Sequence, residues 1–334
     1  MAGVTDFYTR PLHDLRISVI DRCNFRCPYC MPAELFTEDY QFVRRDRWLD
    51  FAEIERLARV FVRLGVRKLR LTGGEPLLRP AIDDLVRSLA GIEGIEDIAL
   101  TTNAVLLPRN ANALRDAGLN RLTVSLDTLD PEVFRRMSGG RGEIDDVMKG
   151  LDAATAAGFT GIKINAVVQR GVNDHTITEL VDHFRGTGHI VRFIEFMDVG
   201  TRNDWNLESV VTSKELRNRI ADRWPLEPLP PRTAGETSSR YRFSDGGGEI
   251  GFISSVSEPF CGGCSRARLS CDGELFSCLF ATDGLDLRPL LTQSDAGIQQ
   301  ALERWWHNRR DRYSAERSSI TVKTEKIEMY RMGG

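Results

Sequence analysis

Cys23-Asn-Phe-Arg-Cys27-Pro-Tyr-Cys30 places three thiols in one short loop. Thiolates are soft ligands, so this spacing points to zinc or to an iron–sulfur cluster. Structural zinc is usually held by four protein ligands, and a fourth would have to come from far along the chain. An iron–sulfur cube held by three cysteines leaves one iron open to bind another molecule. Cys261-Gly-Gly-Cys264 followed by Cys278 is a second incomplete set. There zinc competes more strongly, because C-x-x-C pairs often build zinc ribbons. Cys271, beside Asp272-Gly273, is expected to be a free thiol rather than a ligand.

The elements that must position these thiols are legible in the hydrophobic pattern. Apolar residues at helical spacing recur at Ile54-Leu57-Ala58-Phe61, Ile82-Leu85-Val86-Leu89, Ile144-Val147-Met148-Leu151 and Ile177-Leu180-Val181-Phe184. Asp50 and Glu53 have capping-box spacing before the first of these, Gly65 closes it, and Pro80 suits the first turn of the second. A further helix is expected over 109–117. Between them lie β-rich runs at 15–20, 68–72, 97–102, 121–126, 161–168 and 190–196. Strands alternating with helices imply parallel βα units, and six are too few for a complete eight-fold barrel. The expected fold is α/β, a partial (βα)6 TIM-like barrel over 1–225, with a C-terminal iron–sulfur subdomain over 226–334 closing the open side. The stretch 226–240, rich in Pro, Ser, Thr and Gly, reads as a linker or long loop. The cysteine loop follows the first strand, at the barrel end where active sites are built.

Strands covered on both faces should be nearly continuous apolar runs, yet Arg16, Lys68, Arg70, Lys163 and Arg192 fall within them. Arg266 and Arg268 repeat the same-face spacing beyond the second C-x-x-C. No G-x-x-x-x-G-K-[ST] loop exists to hold a nucleotide. Cations converging on a cavity would suit a polyanion such as a triphosphate; that several pair with Asp127, Glu195 or other acids, or point outward, is the competing reading.

The chain has 334 residues, 41% hydrophobic and 28% charged, with a net charge of -3. That composition describes a globular protein and argues against a nucleic-acid surface. No apolar run is long enough to cross a bilayer, and residues 1–10 carry no secretory core, so a cytoplasmic location is expected. Seven cysteines, an odd count in a reducing compartment, favour metal ligation over disulfides.

C-x-x-x-C-x-Y-C resembles the radical S-adenosylmethionine superfamily, as does Thr72-Gly73-Gly74-Glu75-Pro76 after the second strand. More closely, the chain resembles the GTP 3′,8-cyclase family. The likeness includes Asp14-Leu-Arg16-Ile-Ser-Val, Ser125-Leu-Asp127, Arg192-Phe-Ile-Glu195-Phe-Met197, both cysteine sets and the final Gly333-Gly334. One departure is Ala104, where the family pattern leads one to expect glycine; the conformation of that turn is left open.

The resemblance implies two [4Fe-4S] clusters, on Cys23, Cys27 and Cys30 and on Cys261, Cys264 and Cys278, with S-adenosyl-L-methionine on the first. It implies that Tyr29, Gly74, Ser125 and Met197 contact S-adenosylmethionine, with Glu75 meeting its ammonium. Arg16, Arg70, Thr101, Lys163 and Arg266-Ala267-Arg268 would contact GTP; Lys68 and Arg192 join them from the strand reading. It implies that the adenosyl radical takes the 3′ hydrogen of GTP and that the sugar radical attacks guanine C8, giving 3′,8-cyclo-7,8-dihydro-GTP for molybdenum cofactor biosynthesis. Two glycines at a terminus would ordinarily fray; the resemblance implies that they thread toward the active site and assist catalysis. Expected partners are a flavodoxin- or ferredoxin-type reductant and, downstream, cyclic pyranopterin monophosphate synthase, with no nucleic acid or membrane and with a homodimer left open. A radical enzyme acting on a peptide or other small molecule, and a zinc or electron-transfer module without catalysis, are the alternatives.

Overall fold

α1 (Phe51–Leu64) begins at a reciprocal cap: the Asp50 carboxylate accepts the Glu53 N–H at 2.7 Å, and Glu53 accepts the Asp50 N–H at 2.8 Å. Gly65 ends the helix in the left-handed conformation, φ 113°. The computed structural model describes residues 3–233, 235–317 and 325–333. β1 (Asp14–Ser18), β2 (Lys68–Thr72), β3 (Asp97–Thr102), β4 (Arg121–Ser125), β5 (Lys163–Val168) and β6 (Ile190–Glu195) alternate with helices. Those are α1, α2 (Ile82–Ala90), α3 (Leu107–Asp116), α4 (Pro131–Met137), α5 (Ile144–Ala156), α6 (Ile177–Phe184) and, after β6, α7 (Ser213–Ala221).

The start of α2 differs from the sequence reading, which also lacks α4. Pro80 is not in the first turn of α2, because Ala81 stands between them at φ 55°, a left-handed residue that cannot belong to a right-handed helix. α4 is too short to show a helical period. Asp130 nonetheless caps it, accepting the Glu132 and Val133 N–H groups at 2.9 Å, with Pro131 at the first position.

The chain after residue 225 continues the same sheet. β7 (Leu226–Leu229), β8 (Ser239–Phe243), β9 (Glu249–Ile253), β10 (Arg266–Leu269), β11 (Glu274–Phe276) and β12 (Leu285–Asp286) give the order β12-β11-β10-β1-β2-β3-β4-β5-β6-β9-β8-β7. β10 pairs parallel with β1, and β9 pairs parallel with β6. The C-terminal region thus adds a parallel strand to each edge of the six-stranded core. Part of the expected linker is β7, paired antiparallel with β8. Pro228 is tolerated there because β7 is an edge strand, where a missing N–H breaks no ladder on the open side. α8 (Asp295–His307) packs beside α1; the short α9 (Tyr313–Glu316) and α10 (Met329–Met332) follow.

Register fixes what faces the interior. Arg16 lies between Arg268 and Arg70, Ser125 beside Asn165, and Asn165 beside Arg192. On β1, β2 and β5 the alternate residues Leu15, Ile17, Leu69, Leu71, Ile164 and Ala166 are buried against the helices in one continuous apolar core. Among the described residues no helix is long and apolar enough to cross a membrane.

Ala104 occupies the turn after β3 with φ 69° and is fully buried, and α5 packs its Gly150 onto that turn. A Cβ on Gly150 would fall 2.1 Å from the Ala104 carbonyl oxygen. In an ordinary helix Gly→Ala stabilises by about 1 kcal/mol. Here the clash reverses the sign: Gly150→Ala should destabilise by about 1–3 kcal/mol, seen as a lower urea midpoint with an unchanged slope.

Candidate active site

The loops that follow β1 and β2 interlock. The Gly74 N–H donates to the Ile20 carbonyl at 2.7 Å, and the Glu75 N–H to the Arg22 carbonyl at 2.8 Å. A Cβ on Gly73 would lie 2.3 Å from the Ile20 oxygen, and one on Gly74 would lie 2.2 Å from the Arg22 oxygen. Both glycines are therefore demanded by the close approach of the cysteine loop. Glu75, also buried, turns its carboxylate to Thr102 Oγ1 at 2.7 Å, the Asn103 N–H at 2.8 Å and the Leu77 N–H at 3.0 Å. Burial pushes that carboxyl up to about 7 against the pull of these donors. The Glu75 side chain thus clamps the ends of β2 and β3 together.

Cys23, Cys27 and Cys30 line one cavity with Gly73, Gly74, Glu75, Ser125 and Asp127. The Cys30 and Met31 N–H groups both turn back onto the Cys27 carbonyl, which curls the loop. Burial drives the Cys23 thiol up to about 12, with Glu75 adding to the rise, and lifts Cys27 and Cys30 well above the ordinary thiol range. Buried thiols of this kind ionise only when a metal replaces their protons. All of them are free, and among the described residues neither cysteine trio forms a closed chelate. The donor set fits an iron–sulfur cluster with three protein ligands better than a structural zinc. Cys271 is buried outside both cavities, its carbonyl accepting the Leu49 N–H at 2.7 Å.

A second cavity lies against the first. Cys261, Cys264 and Cys278 line it, together with Arg16, Arg70, Arg192, Arg266, Arg268 and Met197. Arg70 donates to Thr101 and Thr123 hydroxyls at 3.0 and 3.2 Å, and Arg192 donates twice to Asn165 Oδ1, at 3.0 and 2.7 Å. Arg266 lies over the Phe260 ring. Arg268 donates to the Gly333 carbonyl. None of these five arginines has a carboxylate partner among the described residues. Asp127 is taken by Tyr29 Oη and the Val167 N–H, both at 2.8 Å; Glu195 by the N–H groups of Ser213, Val256 and Ser257. Burial, then mutual repulsion, lowers Arg16 to about 9, with Arg70 and Arg266 the repelling charges, and likewise Arg70 to about 9 beside Arg192 and Arg121. Lys163 is brought down to about 7, by burial and then by Arg192, Arg121 and Arg70.

Not every expected residue reaches a cavity wall. Lys68 and Lys163 stand outside the walls of both cavities. Ala267 is fully buried in the apolar core, because its neighbours Arg266 and Arg268 take the inward positions of β10. Gly334 lies outside the described residues. Gly333 does not fray: it is buried at φ 73°, where a Cβ would meet Thr72 Cγ2 at 2.1 Å. The tail is pinned upstream of it. Tyr330 packs with Met31 and Phe36 behind the cysteine loop and shares a 2.7 Å hydrogen bond with Tyr40. Lys326 Nζ donates to Asp198 at 2.8 Å.

Asp127, Asn165, Met329 and Arg309 take places at this site that the sequence reading does not assign to them. Tyr29, Thr101, Ser125, Asp127 and Met329 line both cavities and form their common wall; among these, Asp127 figures in the sequence reading as an ion-pair partner and in the Ser125-Leu-Asp127 likeness, and Met329 not at all. Asn165 orients Arg192, and Arg309 donates to the Cys264 sulfur at 3.2 Å. A polar residue inside a β-rich run was the available signal for Asn165, and the Ser125-Leu-Asp127 likeness was one for Asp127; Met329 and Arg309 had none.

The radical SAM superfamily model matches residues 17–184, and the molybdenum cofactor synthesis C model matches residues 189–315. A curated relative from Xanthomonas campestris pv. campestris, named GTP 3′,8-cyclase, is 56% identical over 100% of this chain and 98% of its own. Another of that name, from Acidothermus cellulolyticus, is 51% identical over 94% of this chain and 89% of its own. Among solved structures, Streptococcus suis SuiB bound to its precursor peptide SuiA superposes with a TM-score of 0.62 at 18% identity, covering 94% of this chain and 68% of that one, a likeness of fold alone. With relatives at these identities along the whole length and both family models matched, the chain belongs to the GTP 3′,8-cyclase family of the radical S-adenosylmethionine superfamily.

Proposed function

We propose that the protein converts GTP into 3′,8-cyclo-7,8-dihydro-GTP in molybdenum cofactor biosynthesis. The single observation that carries this reading is that a cavity with a cysteine trio and a cavity with five carboxylate-free arginines share one wall. When bound, a reduced [4Fe-4S] cluster with S-adenosylmethionine supplies a 5′-deoxyadenosyl radical able to remove the 3′ hydrogen of GTP. Cys23, Cys27 and Cys30 would hold that cluster, and Cys261, Cys264 and Cys278 the second, beside the purine.

The chain's own residues do the positioning. Gly73, Gly74 and Glu75 hold the cysteine loop against β2. Tyr29, fixed through Asp127, and Ser125 separate the two ligands without parting them. Arg16, Arg70, Arg192, Arg266 and Arg268 would grip the triphosphate, so that binding energy from the phosphates fixes the sugar for hydrogen abstraction. Gly333 and Met329 close the tail over the same space. A peptide without acidic side chains, the competing substrate class, would leave these arginines without anionic partners at a cost in buried charge.

The division into 1–225 and 226–334, a cytoplasmic location, a flavodoxin- or ferredoxin-type reductant and delivery of the product to cyclic pyranopterin monophosphate synthase complete the reading. A homodimer is compatible with it.

Anaerobic incubation with GTP, S-adenosylmethionine and dithionite should yield the cyclised nucleotide; 5′-deoxyadenosine with unchanged GTP would overturn the assignment. Arg70→Ala should weaken GTP binding by about 2 kcal/mol, roughly thirtyfold, the scale of a lost hydrogen bond to a charged group. S-adenosylmethionine affinity should stay within twofold.

A pH dependence follows from Lys163, which releases its proton near 7 in the free protein. A polyanion bound near Arg70 and Arg192 favours the charged amine, so binding takes up a proton. GTP affinity should be greatest below about 7 and fall as pH rises through the free and then the bound pKa. In Lys163→Met that slope should vanish, measured calorimetrically in two buffers of different ionisation enthalpy.

A further inference from the structure

Beneath the second cysteine set lies a buried ion network that none of the steps above uses. Asp6, Arg10 and Arg309 are 3%, 2% and 5% exposed. Arg10 Nε meets Asp6 at 2.6 Å, and its Nη1 donates to the carbonyls of Cys261 and Asp311 at 3.0 Å. Arg309 Nη1 donates to the Cys264 carbonyl at 2.7 Å, and Nη2 donates to the Cys264 sulfur at 3.2 Å. Asp6 and Asp311 stand 3.4 and 3.2 Å from Arg309 on its other sides. The Trp306 ring lies 4.5 Å beneath the guanidinium, and its indole N–H donates to the Arg10 carbonyl.

Two arginines therefore hold the two ends of the Cys261–Cys264 turn by their carbonyls, and one of them also reaches a sulfur. Burying two guanidiniums is expensive, and two acids offset it only in part. Fastening the turn alone would need a carbonyl contact and no sulfur contact. An N–H aimed at a cluster sulfur stabilises the more electron-rich, reduced state and raises its potential.

We propose that Arg309 is a positioning residue for the second cluster, holding the Cys261–Cys264 turn and making that cluster easier to reduce through its donation to the Cys264 sulfur. This rests on the reading that Cys261, Cys264 and Cys278 hold an iron–sulfur cluster. Asp6 and Asp311 set the strength of the effect, because each withdraws part of the guanidinium's positive field from the sulfur. Arg10 makes no sulfur contact among the described residues and acts through the carbonyls of Cys261 and Asp311.

The test is a potentiometric titration followed by electron paramagnetic resonance on the full chain after anaerobic reconstitution, with the first cluster as internal reference. In Arg309→Gln the second cluster should need a potential lower by at least 59 mV, a tenfold change in reduced-to-oxidised ratio for one electron, while the first is unmoved. Asp311→Asn, which keeps Arg309 and removes its counter-charge, should shift the second cluster the opposite way. Equal potentials in wild type and both variants would overturn the proposal, as would a downward shift in Asp311→Asn. If Arg309→Gln loads only the first cluster, the sign of the Asp311→Asn shift decides. A wild-type chain that holds one cluster with all cysteines intact would instead overturn the cluster reading itself, by its iron content.

Discussion

Five guanidiniums on one inner wall, none paired with a carboxylate among the described residues, are the constraint around which the rest of the structure is arranged. Charge in a barrel interior is costly, and like charges raise the cost further. The protein softens it with neutral acceptors: Thr101 and Thr123 for Arg70, Asn165 for Arg192, a glycine carbonyl for Arg268. Each of these satisfies donors without cancelling charge, so the field stays available to an incoming anion. The lowered arginines and Lys163 are the electrostatic signature of that choice. The acids that could have neutralised the wall are committed elsewhere: Asp127 to Tyr29, Glu195 to the loop at 256–257, Asp97 to Arg121.

Much of this was legible in the residues alone, and the reasons are local. A capping box at Asp50, glycine at 65 and period-two cations on β2 and β10 each depend on a few neighbouring side chains. The strands 68–72 and 97–102 carry the same limits in sequence and structure. What was hidden is non-local. Ala267 is the exception: the alternation that puts Arg266 and Arg268 on one face puts it on the other, in the apolar core, although the family resemblance implied a GTP contact there. Nothing near Leu226 says that a proline-containing stretch will pair as an edge strand, since the partner β8 begins at Ser239. Lys68 and Lys163 satisfy the alternation rule, yet their positions at the first residue of their strands leave them outside the cavity walls. Periodicity gives a residue's face and not its height along the barrel.

The tail shows how two sparse signals combine. Two terminal glycines by themselves imply fraying, and Gly333 is instead held in a left-handed conformation against Thr72. The residues that hold it come earlier: Tyr330 against Met31 and Phe36, Lys326 on Asp198, and Glu328 accepting the Thr201 N–H at 3.1 Å. Anchoring of this kind lets a small residue occupy a crowded position at low entropic cost, because most of the ordering is done upstream. Tyr330 packs on the loop that carries the first cysteine trio, while the Gly333 carbonyl meets Arg268 on the anion wall. A single short segment therefore touches both halves of the site.

That double contact matters for radical chemistry more than for ordinary binding. A primary carbon radical reacts with any C–H bond it meets, so the protein's task is exclusion as much as alignment. The common wall is built from a phenol locked by a carboxylate, two hydroxyl residues and one methionine, with Tyr29 and Asp127 held by a 2.8 Å bond. Locking Tyr29 keeps its ring from sampling the gap between the cavities. Locking Asp127 through the Val167 N–H ties that ring to β5, the strand that also presents Asn165 to Arg192. The wall that separates the two ligands and the residue that orients the anion grip are thus both tied to β5, through Val167 and Asn165, and displacement of that strand would disturb both.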